Sequence, residues 1–213
     1  KNHGPDGLMG KAGYEHHTII GGGYEYYDER GYVPLGIQAD AFHLRGAGQT
    51  LEYAFCDWAL AELAAALGYE NDYTRYQQRA KNYRQLYNPE TGFMQPRIMN
   101  GAWLTPFDPM APEGWVEGNG WQYLWHVPHD VAGLIDLMGG TETFINRLDD
   151  VFEKAAVGNF IAPHSEHHLN YLDYGNQPSL YIAHLFTYAG APWLTQKWVR
   201  RIMQAAKSDI TPY

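Results

Sequence analysis

Between Val116 and Asp130 the chain reads VEGNGWQYLWHVPHD. One carboxylate, Glu117, stands beside Gly118 and Gly120 and just ahead of Trp121, Tyr123 and Trp125. Glycines let another molecule approach the backbone, and aromatic rings offer flat faces on which a sugar ring can pack. A carboxyl against apolar walls is penalised when charged, so burial there raises its pKa. A neutral carboxyl is what a general acid in glycoside cleavage needs. The plain alternative, a solvated loop acid, describes most loop glutamates; the glycines and aromatics around this one favour the acid. Further on, His129 and Asp130 follow Pro128 at a helix start. There Asp130 serves equally well to satisfy free helix N–H groups or to hold a ligand.

A second polar group lies in HSEHHLNYLDYGNQPS, residues 164–179. The spacing of His164, Glu166, His167 and His168 fits no zinc pattern and reads as a solvated loop. Asp173, Asn176 and Gln177 offer hard oxygen donors beside Gly175 and Pro178, suited to calcium or to hydroxyl groups. The same residues are ordinary turn and helix-start chemistry. Asp57, within AFCDW, reads as a structural hydrogen-bond partner.

The elements that must position these groups are helices. From Thr50 to Leu67, Leu51, Phe55, Ala59, Leu63 and Leu67 recur at helical spacing and Gly68 ends the run. Tyr69, Tyr73, Tyr76, Ala80, Tyr83 and Tyr87 form a second stripe, read as core, that Asn88-Pro89 stops. The pairing repeats. Pro128 to Met138, the turn Gly139-Gly140, then a helix capped by Thr141 with Phe144, Leu148, Val151 and Ala155 on one face make a second hairpin. Pro178 to Tyr188, Gly190, and a helix opened by Pro192 that buries Leu194, Trp198, Ile202 and Ala205 make a third. An earlier helix runs roughly from His17 to Arg30 and ends at Gly31. Turns within pairs are short, whereas the connections Asn88 to Val127 and Val157 to Gln177 are long, as functional loops are. Stacked hairpins with their long loops at one end predict an all-α fold, part of an (α/α)6 toroid, with a loop-built cleft.

Composition narrows the partners. With 45% hydrophobic and 15% aromatic residues among 213, the chain is built to fold. A net charge of −9 without a basic cluster disfavours nucleic acid and anionic membrane. Cys56 stands alone, so no intrachain disulfide or multi-thiolate zinc site can form. The first residues, KNHGPDGLMGK, hold no apolar signal-peptide core, and no apolar run is long enough to span a bilayer, so a soluble protein is expected.

The ordered segments TLEYAFCDW (50–58), NPETGFMQPR (88–97), WLTPFDP (103–109), VEGNGWQYLWHVPHDVAGLIDLMGG (116–140), YGNQPS (174–179) and YAGAPWLTQKWVRRIM (188–203) resemble glycoside hydrolase family 92. These are calcium-dependent, inverting exo-α-mannosidases, mostly α-1,2-specific. The resemblance implies an (α/α)6 catalytic domain that follows an N-terminal β-sandwich, and periplasmic or secreted location of the parent. It implies Glu117 as general acid and Asn119, Trp121, Gln122, His129 and Asp130 as residues that bind the sugar or support its pocket. His167 is expected toward the leaving-group sugar, and the Asn176–Gln177 loop near Ca2+. The ligand is then a mannose-containing oligosaccharide.

Two departures matter. Relatives that read GNEPS correspond here to GNQPS, which replaces a charged donor by a neutral one. The family's general-base motif follows the helix ending in QKWVRRIM, and this chain ends at ITPY. Residues 1–213 are thus expected to be a portion of one catalytic domain that needs the rest of the parent polypeptide, and to be inactive alone. Rival readings are a non-catalytic carbohydrate-binding toroid and a toroid epimerase; the latter would use histidine acid/base pairs and fits the Glu-centred motif less well.

Overall fold

The computed structural model of the chain describes residues 23–37 and 45–206. Its helices are α1 (Tyr24–Arg30), α2 (Ala47–Ala66), α3 (Glu70–Arg79), α4 (Gly120–Tyr123), α5 (Val131–Leu137), α6 (Thr141–Val157), α7 (Leu185–Tyr188) and α8 (Pro192–Ala205). Named strands among the described residues are confined to Tyr87–Asn88 and Phe93–Met94. The fold is all-α and built of helical hairpins, as expected. The start of the helix expected from His17 lies outside the described residues; its described part, α1, ends at Gly31.

Two compact units divide these residues. One holds 23–37, 45–88, Met94–Phe107 and Glu113–Val116; the other holds Pro89–Phe93, Asp108–Pro112 and 117–206. In the first, α2 and α3 form a hairpin that turns at Gly68, whose φ of 74° is one that glycine adopts without strain. The buried face of α2 is Ala47, Leu51, Ala54, Asp57, Ala61 and Ala64. This corrects the expected stripe, since Leu63 and Leu67 are exposed. The tyrosine stripe is corrected too: α3 buries no residue, Tyr69 and Tyr73 are exposed, and Tyr83 is buried on a 3-10 turn, Asn82–Gln85. The helix gives way after Arg79, so the four-and-three spacing beyond it no longer describes one face.

Asp57 is buried beneath this hairpin as the expected hydrogen-bond partner. Its Oδ2 accepts from Tyr27 Oη and from Arg79 Nε, each at 2.9 Å. Arg79 also pairs with Asp28, and its guanidinium lies 5.1–5.8 Å from the ring centres of Tyr24, Tyr27 and Tyr76. Burial pushes the Asp57 carboxyl upward, against the hydrogen bond and charge of Arg79. Burial, reinforced by Asp57, pushes the Tyr27 phenol far above its ordinary range, so it remains a donor.

In the second unit, α5 and α6 are joined by Gly139-Gly140, both at positive φ. Thr141 is the first helical residue, and Gly140 rather than Thr141 occupies the cap position, with no side-chain cap. Phe144, Leu148, Val151 and Ala155 are buried on the face that periodicity predicts, joined by Phe152. Each such large apolar side chain stabilises the fold by about 1.5–3 kcal/mol. Phe152 stacks on Trp198 of α8, with ring centres 5.1 Å apart, and the Trp198 indole N–H donates to Asp149 at 2.6 Å. Pro192 opens α8 as expected, but of its predicted inward residues only Trp198 is fully buried. The helix predicted from Pro178 to Tyr188 is instead broken into 3-10 turns, Gln177–Ser179 and Ile182–His184, and the short α7.

Replacing Asp57 by alanine takes the acceptor from the buried Tyr27 hydroxyl and from Arg79 Nε, while Arg79 keeps Asp28. A buried donor left without its partner costs about 1–3 kcal/mol. Chemical denaturation of Asp57→Ala against the parent chain is expected to show a loss of that size; a change under about 0.5 kcal/mol, as at ordinary surface sites, would contradict the pinning role.

Candidate active site

The long connections that carry the candidate chemistry meet within the second unit. Asn119, fully buried, stands at the N-terminus of α4 in extended conformation. Its Oδ1 accepts from the backbone N–H of Trp121 at 2.9 Å and of Gln122 at 3.1 Å, which caps the helix. Its Nδ2 donates to the carbonyls of His168 at 2.7 Å and Asn170 at 2.8 Å. Gln122 Nε2 donates to the carbonyls of His167 at 2.7 Å and Asn170 at 2.9 Å. Two amide side chains thus clamp the segment 167–170 onto the EGNGWQY stretch. Gly118 makes room: a Cβ there would come within 2.7 Å of Gln122 Oε1 and 2.9 Å of the Tyr123 ring.

Asp173 ties the clamped loop to itself. Its fully buried carboxylate accepts from the backbone N–H of Gly175 at 2.7 Å and of Ala162 at 3.2 Å. It also accepts from Asn170 Nδ2 at 3.3 Å and faces His167 Nδ1 at 3.1 Å. A carboxylate only accepts, so His167 carries its proton on Nδ1 in this pair. His164 and His167 begin and continue a 3-10 turn, His164–Leu169. Residues three apart eclipse in such a turn, and their rings meet edge to face with centres 5.4 Å apart.

Glu117 lies where these pieces converge. Its backbone has φ of 51°, the left-handed region that a side chain makes costly. Asn176 Nδ2 donates to the Glu117 carbonyl at 3.0 Å, and His164 Nε2 lies 3.2 Å from Glu117 Oε1. The Glu117 side chain is 38% exposed. The carboxyl therefore stands at the surface, held from both ends of residue 117 by the opposite loop.

Several predicted residues have other surroundings than the sequence suggests. Trp125 is fully buried edge-on against Phe144, and Tyr123 is buried. Trp121 packs edge to face with Phe93 and Tyr171 while Lys154 covers its ring at 4.9 Å. The expected aromatic walls around Glu117 are thus committed to packing, because the helical turn after Asn119 carries them inward. Asn119 and Gln122 are buried and spend their amides on backbone. Asp130 caps α5 by accepting from Gly133 N–H at 2.9 Å, and half-buried His129 precedes it. His167 is buried against Asp173, which corrects the solvated-loop reading.

Sequence reasoning missed His164, the imidazole that does reach Glu117, and the organising role of Asp173. The signal for His164 was the H-x-x-H spacing, which suits one edge of a 3-10 turn. No local pattern announces Asp173, whose partners are set by the loop's closure.

Residues 8–209 match the glycosyl hydrolase family 92 catalytic domain. The chain belongs to that family. A family 92 inverting mannosidase from Bacteroides thetaiotaomicron shares its fold with a TM-score of 0.72 and 36% identity, over 87% of this chain and 26% of that one. A second family 92 α-mannosidase from the same organism, in complex with mannoimidazole, matches with a TM-score of 0.70 and 36% identity, over 84% of this chain and 24% of that one. An uncharacterized secreted glycosidase from Arthroderma benhamiae is 27% identical over 89% of this chain and 26% of its own length. The chain thus spans about a quarter of the length of these relatives. Among the described residues no helix is long and apolar enough to cross a membrane.

The donors that the family 92 resemblance assigns to calcium do not make a site by themselves. Asn176 Oδ1 accepts from Gln177 N–H at 2.9 Å and its Nδ2 is on Glu117, so its amide is committed. Gln177 is exposed and supplies one neutral oxygen, against the six to eight oxygens that calcium takes. Among the described residues no group of three or more His, Cys, Asp or Glu side chains is placed to hold a metal ion, and calcium also takes backbone carbonyls, amide oxygens and water.

Asn119→Asp keeps a capping oxygen but turns donors into acceptors that face the His168 and Asn170 carbonyls. The Asn170 carbonyl keeps Gln122, but the His168 carbonyl loses this donor and both face a new acceptor; a stranded acceptor costs about 1–3 kcal/mol. Denaturant unfolding is expected to show a loss of at least ~2 kcal/mol; stability within about 0.5 kcal/mol of the parent would mean that the clamp does not hold the loop.

Proposed function

We propose that the whole protein is an inverting exo-α-mannosidase that releases terminal mannose, α-1,2-linked in the first instance, from N-glycans or mannans outside the cytoplasm. Membership of family 92 and the mannosidase neighbours support the substrate class. The secreted fungal relative supports the location. The observation that carries the assignment of roles is Glu117: a carboxyl on strained backbone, fixed by Asn176 and His164, at the junction of the two loops.

In this reading Glu117 protonates the departing glycosidic oxygen. A positioned general acid contributes about 10²–10⁴-fold to rate. Asn119, Gln122 and Asp130 act by holding backbone in place rather than by touching sugar, and Trp121 supports the same turn from behind. Inversion requires a second carboxylate about 6.5–9.5 Å from the acid to activate water. That base, and further oxygens for a calcium ion, are expected from the part of the relatives' length that this chain does not span.

Glu117→Gln in the full-length protein is expected to lower turnover of α-1,2-mannobiose by about 10²–10⁴-fold while mannose binding, followed by calorimetry, is kept. Unchanged turnover would remove Glu117 from the acid's role. The 213-residue chain alone, incubated with the same disaccharide and calcium, is expected to release no mannose; sustained release would mean that the base lies within it.

A further inference from the structure

A glutamate at the end of three rotatable bonds, more than a third exposed, does not hold one direction unaided. Yet a proton donor displaced by about 1 Å can lose two orders of magnitude in rate. Among the described residues the Glu117 carboxyl has one hydrogen-bonding neighbour, His164, through Oε1, which leaves Oε2 uncommitted. His164 is itself 57% exposed, so its ring needs support of its own. That support is the edge-to-face contact with His167, a buried ring locked by the buried Asp173 carboxylate.

We propose that His164 is a positioning residue for Glu117: its imidazole, backed by His167 and Asp173, holds Oε1 so that Oε2 is presented to the departing oxygen. The inference rests on the general-acid reading of Glu117 and adds to it a residue outside the EGNGWQY stretch. An imidazole suits the task because its Nε2–H can donate to Oε1, which is an acceptor both while Oε2 carries the proton and after Oε2 has given it up. The contact therefore survives the transfer of the proton. The loop that carries the imidazole is fastened to the acid's own segment by Asn119 and Gln122, so donor and guide move as one piece.

The test compares His164→Ala, His164→Gln and Glu117→Gln in the full-length protein on two substrates. One is α-1,2-mannobiose, whose leaving sugar needs a proton. The other is a dinitrophenyl α-mannoside, whose leaving group departs without one. His164→Ala is expected to lower kcat on mannobiose by about 10–100-fold with KM little changed, and to leave the dinitrophenyl substrate within about threefold. His164→Gln, which restores an N–H near the place of Nε2, is expected to recover part of the loss. A purely structural role would lower both substrates alike, and a role in binding the leaving sugar would raise KM on mannobiose alone; either result, or no effect at all, overturns the proposal. If Glu117→Gln shows the leaving-group split and His164→Ala does not, this inference alone fails. If Glu117→Gln shows no split, the general-acid reading fails and takes this inference with it. Because His164 is exposed, both variants are expected to melt within a few degrees of the parent.

Discussion

Two buried amide side chains, Asn119 and Gln122, hold the carbonyls of His167, His168 and Asn170, and the rest of the site depends on that grip. A hydrogen bond made on folding adds only about 0.5–1.5 kcal/mol net, whereas a buried carbonyl left without a partner costs about 1–3 kcal/mol. The grip therefore selects one loop arrangement more than it adds stability. Without it, the turn that carries His164 and the segment that carries Glu117 have no shared frame. Asp173 does the same within the loop, where its carboxylate gathers two backbone N–H groups, an amide and an imidazole.

The strain at Glu117 fits this frame. A non-glycine residue persists in the left-handed region only where its surroundings over-determine it. Here the surroundings are Asn176 on its carbonyl, His164 on its carboxyl, and Gly118, where no Cβ could fit. The acid's direction is thus set by a second loop, which couples its aim to loops separated by some fifty residues of chain.

Much of the helical frame is legible in the sequence, because glycine and proline punctuate it for steric reasons. Gly31, Gly68, Gly139, Gly140 and Gly190 all sit at positive φ at helix ends, and Pro192 opens α8 where its missing N–H costs nothing. The inward face of α6 follows from its 3.6-residue period. Periodicity finds an apolar face but not what covers it, which is why Leu63, Leu67, Tyr69 and Tyr73 are exposed. The site is legible only in part. Glu117 stands out by its neighbours, and the motif resemblance assigns its role, but the aromatics beside it turn to the core. Nor does any local pattern say which distant carbonyls an asparagine amide will reach. His167 and Asp173 look like loop polars until the loop closes on them.

The most direct test is a crystal structure of the full-length protein with a sulfur-linked α-1,2-mannobiose, which resists hydrolysis. The account predicts the bridging sulfur within reach of Glu117 Oε2, with Oε1 still on His164 and the 167–170 carbonyls still on Asn119 and Gln122. A bridging sulfur far from Glu117, or a Glu117 carboxyl turned away from a loop that has left the clamp, would contradict it.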